Sequence, residues 1–303
     1  MLQLKTKDLI NGSELSGEEI LSLLDFADEL KEKRTHGFGN ALLKGKSLAL
    51  IFDKPSLRTR MSFSIAMSEL GGHSIESLGP TRKKEEPRDF ARVLQGYVHG
   101  IMIRTFSDMD IIKMAETARI PVINGLSDEF HPCQTLADLQ TIRQAFGKLN
   151  KLTLAYVGDG NNILQSFFPI ASKLGLKINY ACPKGYEPKD RWVGHFPLDL
   201  INGYSNPVDA VKGADVVYTD VWTSMGMEKE ASERLANFKG FQVNEELLKH
   251  ASKEAKVLHC LPMNRGEEIS DSLPESEHSL IFSQCENRLH VQKALLVGLM
   301  AKG

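Results

Sequence analysis

Lys54-Pro55-Ser56-Leu57-Arg58-Thr59-Arg60 stands between an apolar run, Ser47-Leu-Ala-Leu-Ile-Phe52, and a segment with apolar residues at Phe63, Ala66, Met67 and Leu70. The run before it has the length and content of a buried strand, and the spacing after it is helical, so the reading is strand, turn, helix. Ser56 to Thr59 then sit at a helix N-terminus, where unpaired backbone N–H groups and the positive end of the helix dipole face an incoming anion. Arg58 adds a bidentate fork, and Ser56 and Thr59 add hydroxyl donors. Taken alone, Ser-x-Arg-Thr-Arg reads equally well as a Ser N-cap followed by two solvated arginines, and the rest of the chain decides between the two.

Working outward, Ser16-x-x-Glu19 is a capping box before Ile20, Leu23, Leu24, Ala27 and Leu30, which predicts an amphipathic helix to about 33. Strands are expected near 73–77, 100–104 and 121–124, with helices over 89–97, 109–118 and from the 128–134 loop to about 146. A second alternation follows: strands over 152–157, 178–182, 216–219 and 257–260, with helices over 162–174, 208–211 and 244–250. A short last strand is expected over 280–282 and a final amphipathic helix over 287–300. Strand and helix alternate throughout, so the expected class is α/β: two doubly wound parallel-sheet domains joined by connecting helices. The seam is placed at Gly147-Lys-Leu-Asn-Lys151, giving 1–147 joined by a C-terminal helix over 286–303, and 148–285.

At 303 residues the chain is long enough for two cores. A formal charge of −2 argues against nucleic acid or an anionic membrane as the main partner. The start lacks an apolar leader and no run approaches a membrane span, so a cytoplasmic protein is expected. Cys133, Cys182, Cys260 and Cys285 have no C-x-x-C spacing and are too few for a disulfide framework. Neither His131-x-Cys133 nor His259-Cys260 has the spacing of a zinc module, so no metal is expected.

Ligands of open parallel sheets bind beyond the carboxyl ends of the strands. Five polar clusters fall at such ends: Ser56-Leu-Arg-Thr59, Arg104, Asp159-Gly-Asn-Asn162, Asp220-Val-Trp-Thr-Ser-Met-Gly226 and His259-Cys-Leu-Pro262. Split between two domains, they argue for an interdomain cleft with an anion side and a second-substrate side. Gly158-Asp-Gly160-Asn-Asn-Ile163 has Ile where a dinucleotide fingerprint needs its third glycine, and no acid ends the following strand. No P-loop and no G-x-S-x-G elbow occurs, so no cofactor is expected. Next to an anion site, His131 and an arginine could polarise a carbonyl oxygen that gains charge during acyl transfer. Cys260 at a strand end is a candidate functional thiol.

Together with His131-Pro-Cys-Gln-Thr-Leu-Ala-Asp138 and Glu286-Asn-Arg288, these motifs resemble the aspartate/ornithine carbamoyltransferase family on its ornithine side, in order and over essentially the whole chain. The resemblance implies carbamoyl transfer from carbamoyl phosphate to the δ-amine of L-ornithine, giving citrulline in arginine biosynthesis, by a homotrimer or a multiple of trimers. It assigns the phosphate to Ser56, the Leu57 backbone, Arg58 and Thr59, and the carbamoyl oxygen to Arg104, His131 and Thr59. Gln134 and the Leu261 carbonyl would hold the carbamoyl NH2, with Arg288 reaching to the same substrate. Asn162 and the Met225 backbone would take the ornithine α-carboxylate, Asp220 and Ser224 its α-amino group, and Cys260, with Asp220, would lie nearest the attacking amine.

The alternatives are another acceptor (N-acetylornithine, putrescine or aspartate), a non-catalytic anion-binding member of the fold, and a catabolic direction that shares every residue. Two departures from the family pattern stand out. Leu57 replaces a Thr at a position used through its backbone, and no Gln lies between 74 and 94 to reach a neighbouring subunit's carbamoyl phosphate. Arg82, Lys83 or Lys84 could supply a cation there, or form a solvated charge run.

Overall fold

The computed structural model describes residues 2–36, 41–78, 85–189, 199–224 and 226–301. Two compact units are present, Met1–Ala137 with Asn287–Gly303, and Asp138–Glu286.

In the first unit, α1 (Gly17–Thr35) precedes β1 (Ser47–Phe52), α2 (Leu57–Glu69), β2 (His73–Leu78), α3 (Pro87–Leu94), β3 (Gly100–Arg104), α4 (Asp108–Thr117) and β4 (Val122–Leu126). The start of α5 (Pro132–Phe146) and the end of the last helix, α10 (Ile281–Met300), complete it. The capping box forms as read: Ser16 accepts from the Glu19 N–H and Glu19 accepts from the Ser16 N–H. The sheet is parallel with order β2-β1-β3-β4. Every residue of β1 is buried, which is why its sequence is continuously apolar rather than alternating.

Ala49, Ile51, Ile101 and Ile103 pack against Phe90, Ile111 and Met114 of α3 and α4; a buried aliphatic side chain of this kind contributes about 1.5–3 kcal/mol. The free edge of β4 is covered by the N-terminal segment, since the Leu9 N–H donates to Val122 O (3.0 Å) and Leu9 O accepts from the Asn124 N–H (2.8 Å). Glu69 at the end of α2 binds Arg34 of α1 (2.9 Å) and Lys293 of α10 (2.7 Å).

The second unit holds β5 (Thr153–Val157), α6 (Asn162–Ala171), β6 (Lys177–Ala181), β7 (Ile201–Tyr204), α7 (Pro207–Val211), β8 (Val216–Thr219), α8 (Ala231–Asn237), α9 (Glu245–Leu248) and β9 (Lys256–His259). Its parallel sheet runs β7-β6-β5-β8-β9. Ala155 and Val157 of β5, Val217 of β8 and Val257 of β9 are fully buried against Val211, Val243 and Ile269.

Three elements differ from expectation, one of them α8, a short helix over Ala231–Asn237 that was not anticipated. Residues 280–282 are not a strand: the Leu280 N–H donates to Val257 O, and Ile281 already opens α10, so the apolar residues seal a helix start. β7 was not anticipated, because Ile-Asn-Gly-Tyr is an edge strand with only Ile201 buried.

The chain order of each sheet reverses beside its first strand. In the first unit β1 leads to β2 on one side and has β3 on the other; in the second, β5 leads to β6 and has β8 on the other side. Crevices at such switch points open beyond the carboxyl ends of the two strands. Ser56 and Arg104 follow β1 and end β3, while Asp159 and Asp220 follow β5 and β8.

Candidate active site

In the first unit, Ser56 is the N-cap of α2 and its Oγ accepts from the Thr59 N–H (3.3 Å), which leaves the hydroxyl proton free to donate outward. Arg58, one residue into the helix, has no hydrogen-bond or ion-pair partner among the described residues, whereas Arg60 is spent on Glu76 (2.7 Å). The motif's two guanidinia thus divide, one structural and one available. Leu57 is 70% exposed and has no packing role that would fix its identity.

Arg288, 3% exposed on α10, donates from Nη2 to Thr59 Oγ1 (2.7 Å) and from Nη1 to Gln134 Oε1 (3.0 Å). One buried guanidinium therefore aligns a hydroxyl of α2 with an amide at the start of α5. Arg104 ends β3, is 7% exposed, and is registered against Phe52 of β1. His131 immediately precedes α5 and is buried. Burial, with Arg288, Arg104 and Arg58 nearby, holds its pKa well below the ordinary imidazole value, so the ring is neutral at working pH. The first unit therefore gathers Ser56, Arg58, Thr59, Arg104, His131, Gln134 and Arg288 into a cationic cluster with neutral donors among the guanidinia.

In the second unit, Asp220 follows β8 and is almost buried. Its Oδ2 accepts from Asn161 Nδ2 (2.7 Å), and its Oδ1 accepts from the Val221 N–H (2.9 Å) and from the Cys260 thiol (2.9 Å). The carboxylate is thereby held in one orientation beside the sulfur. Asn161, rather than Asn162, is the N-cap of α6, accepting from the Ile163 N–H (3.0 Å) and from Tyr156 OH (3.1 Å). Asn162 opens the helix and Ser224 lies four residues after Asp220, both half-buried. Met225 and the 79–84 segment containing Arg82, Lys83 and Lys84 lie outside the described residues.

Leu261 takes a left-handed backbone, φ 60°, before a cis Pro262. The loop is held by its neighbour: the Leu261 N–H donates to His259 Nδ1 (2.9 Å), which leaves the proton on Nε2 to donate to buried Glu268 (3.0 Å). Asp220, His259 and Cys260 offer a carboxylate, an imidazole and a thiol within 4.8 Å, the one such group of potential metal ligands among the described residues. Both imidazole nitrogens already hold hydrogen bonds, so His259 would have to give up one of them to bind an ion.

Sequence reasoning missed Glu268 and Arg234, and gave no individual role to Asp159 or Asn161 within the cluster it singled out. Asp159, after β5, accepts from Arg234 of α8 (3.1 Å). Burial pushes its carboxyl up to about 6 in spite of the guanidinium. Asp159 sits within a motif singled out above; nothing in the run Ala-Ser-Glu-Arg-Leu marks Arg234.

The carbamoyl-phosphate-binding domain model of the aspartate/ornithine carbamoyltransferases matches residues 7–144, and the aspartate/ornithine-binding domain model matches 150–299. Among curated proteins, an ornithine carbamoyltransferase of Anoxybacillus flavithermus is 48% identical, with 99% of this chain and 98% of that protein covered. An anabolic ornithine carbamoyltransferase of Pyrococcus furiosus is 44% identical at 99% and 98% coverage. A solved ornithine carbamoyltransferase structure from Pyrococcus furiosus superposes with a TM-score of 0.94 at 44% identity, covering 99% of each chain.

Proposed function

The chain belongs to the aspartate/ornithine carbamoyltransferase family, and from that premise we propose that it transfers the carbamoyl group of carbamoyl phosphate to the δ-amine of L-ornithine, giving L-citrulline and phosphate in arginine biosynthesis. The observation that carries the reading is the pairing of two chemistries in one chain. One sheet ends in guanidinia and hydroxyls for a dianion, and the other ends in an oriented carboxylate beside a thiol for a cationic amine.

In this reading the phosphate lies at the N-terminus of α2, bound by Ser56, the Leu57 N–H, Arg58 and Thr59. Arg104, the neutral N–H of His131 and Thr59 OH point at the carbamoyl oxygen, and Gln134 accepts from the carbamoyl NH2. As the amine attacks, negative charge grows on that oxygen, and donors already in place stabilise it without reorganising. Arg288 holds Thr59 and Gln134 in register for this. Asp220 and Ser224 take the α-amino group of ornithine, Asn162 and the Met225 backbone its carboxylate. Cys260, with Asp220, lies nearest the δ-amine, and the proton that the δ-ammonium sheds before attack passes to the Asp220 carboxylate or to solvent. No covalent intermediate is needed, only two aligned substrates.

The acceptor side also favours ornithine over aspartate. A second substrate carboxylate would need a free cation there, and Arg234 is already committed to Asp159 and Glu230. The assembly we infer is a homotrimer or a multiple of one.

Citrulline formation from carbamoyl phosphate and each candidate acceptor tests the reading, with Arg58→Ala alongside. Ornithine is expected to saturate. The variant is expected to lose about 10²–10³ in kcat/KM for carbamoyl phosphate, the cost of removing a charge-assisted contact to a transferring group. Saturable turnover with aspartate alone would overturn it.

A further inference from the structure

Arg234 is 5% exposed, yet the mechanism above gives it no substrate contact. Its Nη1 donates both to Asp159 Oδ2 (3.1 Å) and to the Trp222 carbonyl (2.8 Å), its Nε donates to Glu230 (3.0 Å), and its guanidinium lies 4.9 Å from the centre of the Tyr186 ring. Asp159 follows β5 and Trp222 follows β8, so one guanidinium spans the two strand ends that flank the switch point. The aromatic group around it fixes the span from the other side: Trp222 packs on Phe238 (5.5 Å between ring centres) and Tyr186 on Phe238 (4.8 Å).

Trp222 lies midway between Asp220 and Ser224, the two residues assigned to the acceptor's amino group. Holding its carbonyl fixes the course of the chain between them. The same guanidinium occupies Asp159 Oδ2 and offsets its charge, while Asp220 has no such cation among its hydrogen-bond partners and is the carboxylate offered to an ammonium. Burying an arginine is costly unless its charge and its donors are both matched; here Glu230 and the Met227 sulfur match Nε and Nη2, while Nη1 is given to the two strand-end groups that border the acceptor cluster, Asp159 and the Trp222 carbonyl.

We propose that Arg234 is a positioning residue for the acceptor amino acid, tying Asp159 to the Trp222 carbonyl and so setting where Asp220 and Ser224 meet the substrate. This rests on the ornithine reading above.

The test is steady-state kinetics in both substrates for the wild-type chain, Arg234→Met, Arg234→Lys and Asp159→Asn, with the dissociation constant of norvaline, the acceptor skeleton lacking its δ-amine. Arg234→Met is expected to raise the ornithine KM and norvaline Kd by about ten- to thirtyfold, the size of a lost charge-assisted hydrogen bond. The carbamoyl phosphate KM should stay within about twofold. Arg234→Lys, whose ammonium can still reach Asp159 and the carbonyl, should recover most of the loss. Asp159→Asn should move the acceptor constants in the same direction by less.

A folded Arg234→Met with unmoved acceptor constants overturns the proposal, as does a loss confined to kcat or to thermal stability. If Arg234→Met does not fold, unchanged ornithine KM in both other variants overturns it. A wild-type chain that forms no citrulline would instead sink the functional reading. The two failures are therefore separable.

Discussion

His131 is an imidazole enclosed with three guanidinia, and that environment decides its chemistry. Burial comes first and the positive charges second; both disfavour the imidazolium. In the unfolded chain the ring takes a proton as pH falls through about 6.5, and in the folded site it does not. The native state binds fewer protons there, so this residue's contribution to stability is complete above about 6.5 and declines as pH falls toward the lowered folded value. His131 should therefore show no titration near 6.5 in an NMR pH series, while His131→Leu should cost about 10²–10³ in kcat by removing a carbonyl-polarising donor.

The rise in rate with pH is expected chiefly from the acceptor, whose side-chain amine resembles lysine at about 10.4 and is under roughly 1% neutral at pH 7. Turnover is expected to climb from pH 6 to 9. A flat profile, with the chemical step shown to be rate-limiting, would contradict this.

At the scale of elements, Gly160 shows what a pattern can conceal. In the sequence it belongs to a failed dinucleotide fingerprint; in the fold it is where residues 186–188 cross the start of α6. Its N–H donates to Tyr186 O (2.8 Å), and an added Cβ would lie 2.3 Å from Pro188 N and 2.5 Å from the Glu187 carbonyl carbon. Backbone cannot swing aside as a side-chain tip can. Gly160→Ala should therefore destabilise by about 1–3 kcal/mol, seen as a lower urea midpoint; an unchanged midpoint would show that the crossing yields freely.

The strands β1, β3, β5 and β8 were legible because burial on both faces leaves a continuous apolar run. β7 was not, since an edge strand needs little apolar content, and 280–282 misled because apolar residues opening a helix look like a short strand. Candidate site residues could be proposed where they stand just beyond a strand, as Asp220 and Cys260 do directly and Ser56 does four residues on. Asn161 hid behind its neighbour Asn162. Glu268 and Arg234 act through partners that only folding brings to them, His259 nine residues earlier and Asp159 seventy-five earlier.

On the scale of the whole molecule, several large apolar side chains among the described residues of the first unit are exposed. Leu57 (70% exposed) and Met61 (51%) are one turn apart on α2, and Ile75 (53%) projects from β2, the outer strand of its sheet. An exposed strand edge with apolar neighbours is a liability in a monomer and an asset in an assembly. A second copy of the chain, as in the trimer inferred above, would cover them.

If these groups lie in the interface of the inferred trimer, sedimentation should give three times 33.7 kDa or a multiple of it, and Met61→Lys with Ile75→Lys should shift the species toward a single chain. Activity discriminates further. A site completed by a neighbour's cation would lose turnover along with assembly, chiefly through a raised carbamoyl phosphate KM. A dissociated variant retaining wild-type constants would show that each chain carries its site alone, and a wild-type monomer would remove the interface from these side chains altogether.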